Sequence, residues 1–227
     1  MEKTKSNPRE LFDETAVSHQ TDFAPLLDAT IEELRSRRSW IRKDWSEVRL
    51  LDYACGAGTA SKALIPFVKQ AVGLDFSEGM VTEYNKWASR NGFDSDKAYA
   101  YQCDLLDDDE FKVMTEGKPE LVTNFDVVVI GMALHHVDDQ VKLLSRLAGC
   151  LVKGGVCVVL DKAPDADSDW NETDMGPKGY TEQAMRRMYS DAGLGQGFEY
   201  TLLPPVEFTL YGRLVKTTGF IARVEAL

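Results

Sequence analysis

Leu50-Leu51-Asp52-Tyr53-Ala54-Cys55-Gly56-Ala57-Gly58-Thr59 carries an apolar run through a string of small residues into a helical pattern. A buried strand that turns on small residues lets the backbone approach a ligand closely. The first turn of the following helix offers N–H groups that have no partner inside the helix. Two glycines alone also serve a tight strand–helix junction for steric reasons, so the neighbouring residues decide. In a dinucleotide fingerprint the third glycine would fall at Ser61, which is serine. Asp52, at the strand end, sets a negative charge where a pyrophosphate would rest. The same carboxylate suits a cationic ligand.

Outward from this junction, short apolar runs alternate with amphipathic stretches. Residues 48–54, 71–75, 98–103, 125–131 and 155–161 read as buried strands. Helices are expected near 59–68, 77–91, 108–116 and 139–151, with Pro66 kinking or restarting the first of them. Strand–helix alternation with apolar strands predicts a doubly wound, Rossmann-like α/β sheet, mostly parallel, with helices on both faces. A helix over 180–192 stops at Gly193, and 198–210 with 214–224 reads as an antiparallel pair at the sheet edge. Upstream, Phe23, Leu26, Leu27, Ile31 and Leu34 recur at helical spacing, after a frayed start at 1–10. The chain thus divides as one domain: a helical cap (1–47), a ligand-binding core (48–161), a lid loop (162–180), and a last helix with edge strands (181–227).

The charge narrows the partners. With 26 basic and 37 acidic residues in 227, the formal charge is −11, and no basic stretch offsets it. Phosphate backbones are repelled, so nucleic acid is not an expected partner. The same charge also keeps the protein soluble. No apolar run reaches the length of a membrane span, and the polar start at 1–10 argues against a secretory leader, so a cytoplasmic location is expected. Cys55, Cys103, Cys150 and Cys157 are far apart, without a CxxC pair, and three histidines do not complete a ligand set. Structural thiols and no metal are expected.

Three further strand ends carry candidate ligand contacts. Asp75 lies 17 residues beyond Gly58, where a carboxylate can accept from both hydroxyls of a ribose; alternatively it caps the next helix, as Ser77 equally could. Asp104 can accept from an adenine amino group or sit in a surface turn. Gly131 lets the backbone pass a reacting centre, with Met132–Leu134 lining a channel. His135 and His136 are candidate general bases, or one of them caps the next helix or bonds Asp138.

These pieces, in this order, resemble the class I S-adenosylmethionine-dependent methyltransferases, in particular the branch with ubiquinone/menaquinone-biosynthesis and many small-molecule methyltransferases. The resemblance covers 48–161 and continues more loosely from Gly179-Tyr180-Thr181-Glu182 to Ala192-Gly193-Leu194. It implies S-adenosyl-L-methionine as cofactor, with Asp52, Ala54, Gly56 and Gly58 at its methionine part and Asp75 at the ribose. Phe76 and Met80 would flank the adenine, Asp104 with Leu105 would meet its edge, and Gly131 and Met132 would lie near the sulfonium. Ala54 stands where the family usually has its first glycine, and alanine is compatible with a strand end. Residues 11–19 look like the short helix that folds over the cofactor in this branch.

The implied reaction is in-line methyl transfer to a small-molecule nucleophile, with His135 or His136 assisting. Trp170 and Tyr180 would line the lid, although Trp170 equally suits a core anchor. Gly131-Met132-Ala133-Leu134 replaces the Asn/Asp-Pro-Pro-aromatic run of enzymes that methylate amides or nucleobase amino groups. Oxygen, sulfur, nitrogen and carbon acceptors otherwise stay open. An NAD-dependent oxidoreductase is disfavoured by Asp52 and the absent third glycine. A non-catalytic cofactor-binding or accessory protein remains an alternative.

Overall fold

Successive side chains of a strand point to opposite faces, and the central strands here are apolar on both. In the computed structural model, which describes residues 8–164 and 179–227, five strands run parallel: β1 (Arg49–Tyr53), β2 (Gln70–Asp75), β3 (Ala98–Gln102), β4 (Phe125–Gly131) and β5 (Leu151–Lys162). Trp170 lies outside the described residues. Leu51, Tyr53, Val128, Ile130 and Val159 face one core, shared with α6 (Asp108–Gly117), α7 (Gln140–Cys150) and α8 (Glu182–Asp191). Leu50, Val127, Val129 and Val158 face the other, shared with α4 (Thr59–Leu64) and α5 (Glu78–Arg90). Burying each such side chain contributes about 1.5–3 kcal/mol. The two-faced burial therefore fixes the doubly wound sheet.

Polar side chains start the helices. Ser77 accepts from the Met80 amide, Asp107 from Asp109 and Glu110, and Asp139 from Lys142. The helix after β1 is shorter than expected. It ends at Leu64 and does not restart, because Pro66 has no N–H for another turn; Phe67 instead donates to the Leu64 carbonyl at 2.9 Å.

The strand order is β3-β2-β1-β4-β5-β9-β6, where β6 is Gln196–Leu202 and β9 is Gly219–Glu225. β9 runs antiparallel to both β5 and β6. The expected edge pair is present, but each of its halves breaks in two. Pro204-Pro205 cannot donate to a ladder and separates β6 from β7 (Val206–Leu210). β8 (Arg213–Thr217) likewise precedes β9. β7 and β8 form their own hairpin, turning on Tyr211 and Gly212, both at positive φ.

The hairpin packs Phe208, Leu210 and Val215 on Phe23 and Leu26, at the start of α2 (Ala24–Ser36). α1 (Pro8–Asp22) precedes it and α3 (Arg38–Ile41) follows. Among the described residues, no helix is long and apolar enough to cross a membrane. All four cysteines are free and buried, as small apolar side chains.

Candidate active site

The strand order reverses between β1 and β4, so the connections leaving their carboxyl ends diverge and open a crevice. A cavity of about 720 Å³ fills it. Asp52, Gly56, Asp75, Asp104, Gly131 and His135 line its floor, while Phe12, Phe23, Leu27 and Ile31 close it from above.

The turn after β1 is built from left-handed residues: Ala54 at φ +52°, Gly56 at +51° and Gly58 at +93°. Ala54 is therefore not extended, as its reading as a tolerant strand end requires. It occupies a conformation that costs an L-residue roughly 1–2 kcal/mol, which is why glycine suits this position. At Gly58, a β-carbon would come within 2.9 Å of the Tyr84 ring. Asp52 is buried and accepts from the Ser61 amide and hydroxyl, both at 2.8 Å. It thus staples the first turn of α4 as well as lining the cavity. Burial pushes its pKa up to about 7 against the lowering effect of the Ser61 bonds.

Asp75 ends β2 with one carboxylate oxygen on the Gly56 amide (2.8 Å) and the other on the Ser77 amide (2.9 Å). The cap of α5 is Ser77, whose hydroxyl accepts from Met80. Asp75 is a cavity wall and a brace for the glycine turn. Burial raises its pKa to about 6, opposed by the two amides. Phe76 and Met80 line the adjoining wall.

Beyond β3, Asp104 lines the cavity and accepts from the Leu106 amide at 2.8 Å. Leu105, expected beside it, points the other way: its side chain is wholly buried in the core. Leu106 lines the cavity instead. The pattern Asp-Leu-Leu offers two leucines, and sequence alone does not say which one turns inward.

At the end of β4 the chain turns through Met132, at φ +54°, whose amide donates to the Leu160 carbonyl at 2.7 Å. A β-carbon on Gly131 would meet no protein atom within 4 Å. The protein's own packing does not demand glycine there; the space above it is cavity. His135 is buried, and its Nδ1 lies 2.7 Å from the Asp161 carboxylate, which also accepts the His135 amide at 3.1 Å.

His136 reaches solvent, yet its ring packs against those of Phe12 and His135. Desolvation of that ring, and then His135, pushes its pKa down to about 4. Neither histidine caps α7, whose cap is Asp139. Tyr180, expected in the lid, is a core residue. Its hydroxyl donates to the Leu134 carbonyl at 3.1 Å and its ring meets Phe220 edge-on, so it supports the histidine turn from below.

Three residues that the sequence reading does not single out, Phe12, Asp13 and Asp161, hold the site together. Asp13 of α1 accepts from the Ser77 hydroxyl (2.6 Å) and the Gly79 amide (3.0 Å), and Phe12 meets the rings of Phe76 and His136. Asp161, at the carboxyl end of β5, holds His135. The signal for Asp161 was legible: a carboxylate closing an otherwise apolar strand, like Asp52 and Asp75.

Residues 51–157 match the family model of a methyltransferase domain. An alignment covering 68% of the chain is 32% identical to an uncharacterized methyltransferase of Schizosaccharomyces pombe and spans 53% of that protein. Residues 51–157 belong to the methyltransferase domain family. The methyltransferase YcgJ of Bacillus subtilis is 26% identical over 51% of the chain and 41% of its own length. The YcgJ crystal structure superposes with a TM-score of 0.66 at 15% identity, covering 86% of this chain and 97% of that one. Magnesium protoporphyrin IX methyltransferase of Synechocystis, solved with bound SAM, superposes at 0.65 and 14% identity over 100% of this chain and 99% of that one. These two structures share the methyltransferase fold. The chain spans about half the length of the curated methyltransferases it matches.

Proposed function

We propose that this methyltransferase domain binds S-adenosylmethionine in the 720 Å³ cavity and transfers its methyl group to a small-molecule nucleophile. The observation that carries this reading is the set of three carboxylates, Asp52, Asp75 and Asp104, at successive strand ends of one cavity. Asp75 already takes the Gly56 amide, an N–H that a phosphate-binding turn would offer to its ligand. This set of acceptors suits a cationic nucleoside and repels a pyrophosphate. Bound there, S-adenosylmethionine supplies a methyl group made electrophilic by its sulfonium.

The chain's own residues then bind, orient and exclude water. Asp75 is the acceptor for the ribose hydroxyls, Asp104 for the adenine amino group, and Phe76 with Met80 flank the ring. Gly131 leaves room for the acceptor to approach in line, where alignment supplies most of the rate. Phe23, Leu27 and Ile31 keep water from the reacting atoms. An acceptor entering beneath α2 meets those apolar side chains and Tyr211. That lining, with a net charge of −11, favours a small molecule over nucleic acid.

Calorimetry with S-adenosylmethionine, S-adenosylhomocysteine and NAD tests the cofactor. Binding of the first two and not of NAD is expected; the reverse overturns the reading. Transfer of labelled methyl to a metabolite extract tests the enzyme. Tight binding with no labelled product would make the chain a cofactor-binding accessory instead.

A further inference from the structure

His135 and Asp161 come from different strand ends, 26 residues apart, and meet where almost no solvent reaches: their side chains are 2% and 0% exposed. Asp161 is heavily engaged. One oxygen holds His135 Nδ1 at 2.7 Å and the Lys162 amide at 2.7 Å, and the other holds the His135 amide at 3.1 Å. The carboxylate therefore fixes both the backbone and the ring of His135. Tyr180 braces the same turn through the Leu134 carbonyl. An imidazole whose Nδ1–H is given to a carboxylate keeps its lone pair on Nε2. With Nδ1 held by Asp161, Nε2 is the ring nitrogen left for a molecule in the cavity that His135 lines.

We propose that Asp161 is a positioning residue that makes His135, rather than His136, the proton acceptor for the methyl acceptor. The proposal rests on the methyltransferase reading above. His136 is less suited, because its ring is packed between Phe12 and His135, and the hydrogen bonds of Asp161 go to the ring and amide of His135 instead. In the step, the acceptor oxygen forms its bond to the methyl carbon and the carbon–sulfur electron pair stays with sulfur. The hydroxyl proton passes to His135 Nε2, and the imidazolium formed is stabilised by Asp161 until it loses the proton to water. Among the described residues, Lys162, His136 and Tyr180 are the other titratable groups that act on the pair, and burial holds the Lys162 ammonium below its usual range.

Two measurements separate this role from a mere staple between β4 and β5. The first is the ¹⁵N spectrum of the imidazoles at neutral pH, in the wild type and in Asp161→Asn. The proposal expects His135 protonated on Nδ1 alone in the wild type and a shift toward the Nε2–H form in the variant. A wild-type Nε2–H tautomer overturns it. The second is methyl transfer to phenols of graded acidity. Asp161→Asn is expected to slow transfer to phenol about 100-fold, the scale of a lost general base. Transfer to 4-nitrophenol, already ionised at pH 8, should fall by less than about threefold. Equal losses for both, or an unchanged pH profile, overturn the proposal while leaving the methyltransferase reading intact. Cofactor binding with no transfer to these phenols or to any extract component defeats that reading, and the proposal with it. Should Asp161→Asn not fold, His135→Gln carries the same comparison.

Discussion

The Asp75 carboxylate accepts the Gly56 amide at 2.8 Å, so the end of β2 holds the turn that leaves β1. The bond crosses between neighbouring strands at the edge where the cavity opens. It makes the shape of the glycine turn depend on a residue that also faces the ligand. Asparagine at 75 retains one acceptor but sets an NH₂ against either the Gly56 or the Ser77 amide. Asp75→Asn is expected to weaken S-adenosylmethionine binding at least tenfold, in line with about 1.5–3 kcal/mol for a hydrogen bond to a charged group. Calorimetry at pH 8 measures it; unchanged affinity would remove Asp75 from the ligand's contacts.

Asp52 and Asp75 ionise later in the folded chain than in the unfolded one, because burial raises them to about 7 and about 6. The sign follows from linkage. Their neutral forms favour folding most fully below the ordinary carboxylate range near pH 4, and that contribution is lost as pH rises through 6 and 7. The ligand-free protein is expected to be more heat-stable at pH 5 than at pH 8, with Asp52→Asn reducing the difference. A thermal melt series over that window decides it.

A cationic ligand should pull both carboxyls toward their ionised forms. S-adenosylmethionine binding is then expected to release protons near pH 6.5 and to tighten toward pH 8. Calorimetric enthalpies in two buffers of different ionisation heat read the proton count directly. Proton uptake on binding would contradict the electrostatic argument.

Ala54 and Gly58 should respond in opposite directions. Ala54→Gly relieves a left-handed alanine and is expected to raise stability by about 0.5–1 kcal/mol, part of the gain being offset by a looser unfolded chain. Gly58→Ala adds a methyl at φ +93° and 2.9 Å from Tyr84, and is expected to cost about 2–3 kcal/mol. Denaturant titrations of the two variants give both numbers.

Asp13 ties α1 to the first turn of α5 through Ser77 and Gly79. Removing it in Asp13→Ala should speed amide exchange in Pro8–Asp22 while leaving the central strands protected. Cofactor dissociation should accelerate several-fold. Exchange unchanged in α1 would mean that its other ties, the Phe12 ring contacts and the Arg9–Glu110 ion pair, suffice to hold the helix.

Much of this was legible in the sequence, for a physical reason. Strands buried on both faces must be largely apolar, so 48–54 and 125–131 announced themselves, and Asp52 near the end of the first stood out. Asp75 was readable as a strand-end carboxylate because its position follows from the strand. Its grip on Gly56 was not, since that depends on the β1–β2 register. Ala54 misled because residue type does not report φ. Asp13 and Ser77 are 64 residues apart, a pairing that no periodicity reveals. Leu105 and Leu106 are the same residue type with opposite destinations. The hairpin was recoverable, since Pro204-Pro205 interrupts a strand on chemical grounds alone.

The β7–β8 hairpin shares no ladder with the seven-stranded sheet; it rests on α2, with Met132 packed at the same contact. At this contact the roof meets the floor through side-chain packing, with no ladder between them. Such a roof can be recut piece by piece, altering which guest fits, while the strands beneath it keep their geometry. A laboratory graft of a foreign α2 with its hairpin would exploit the same seam.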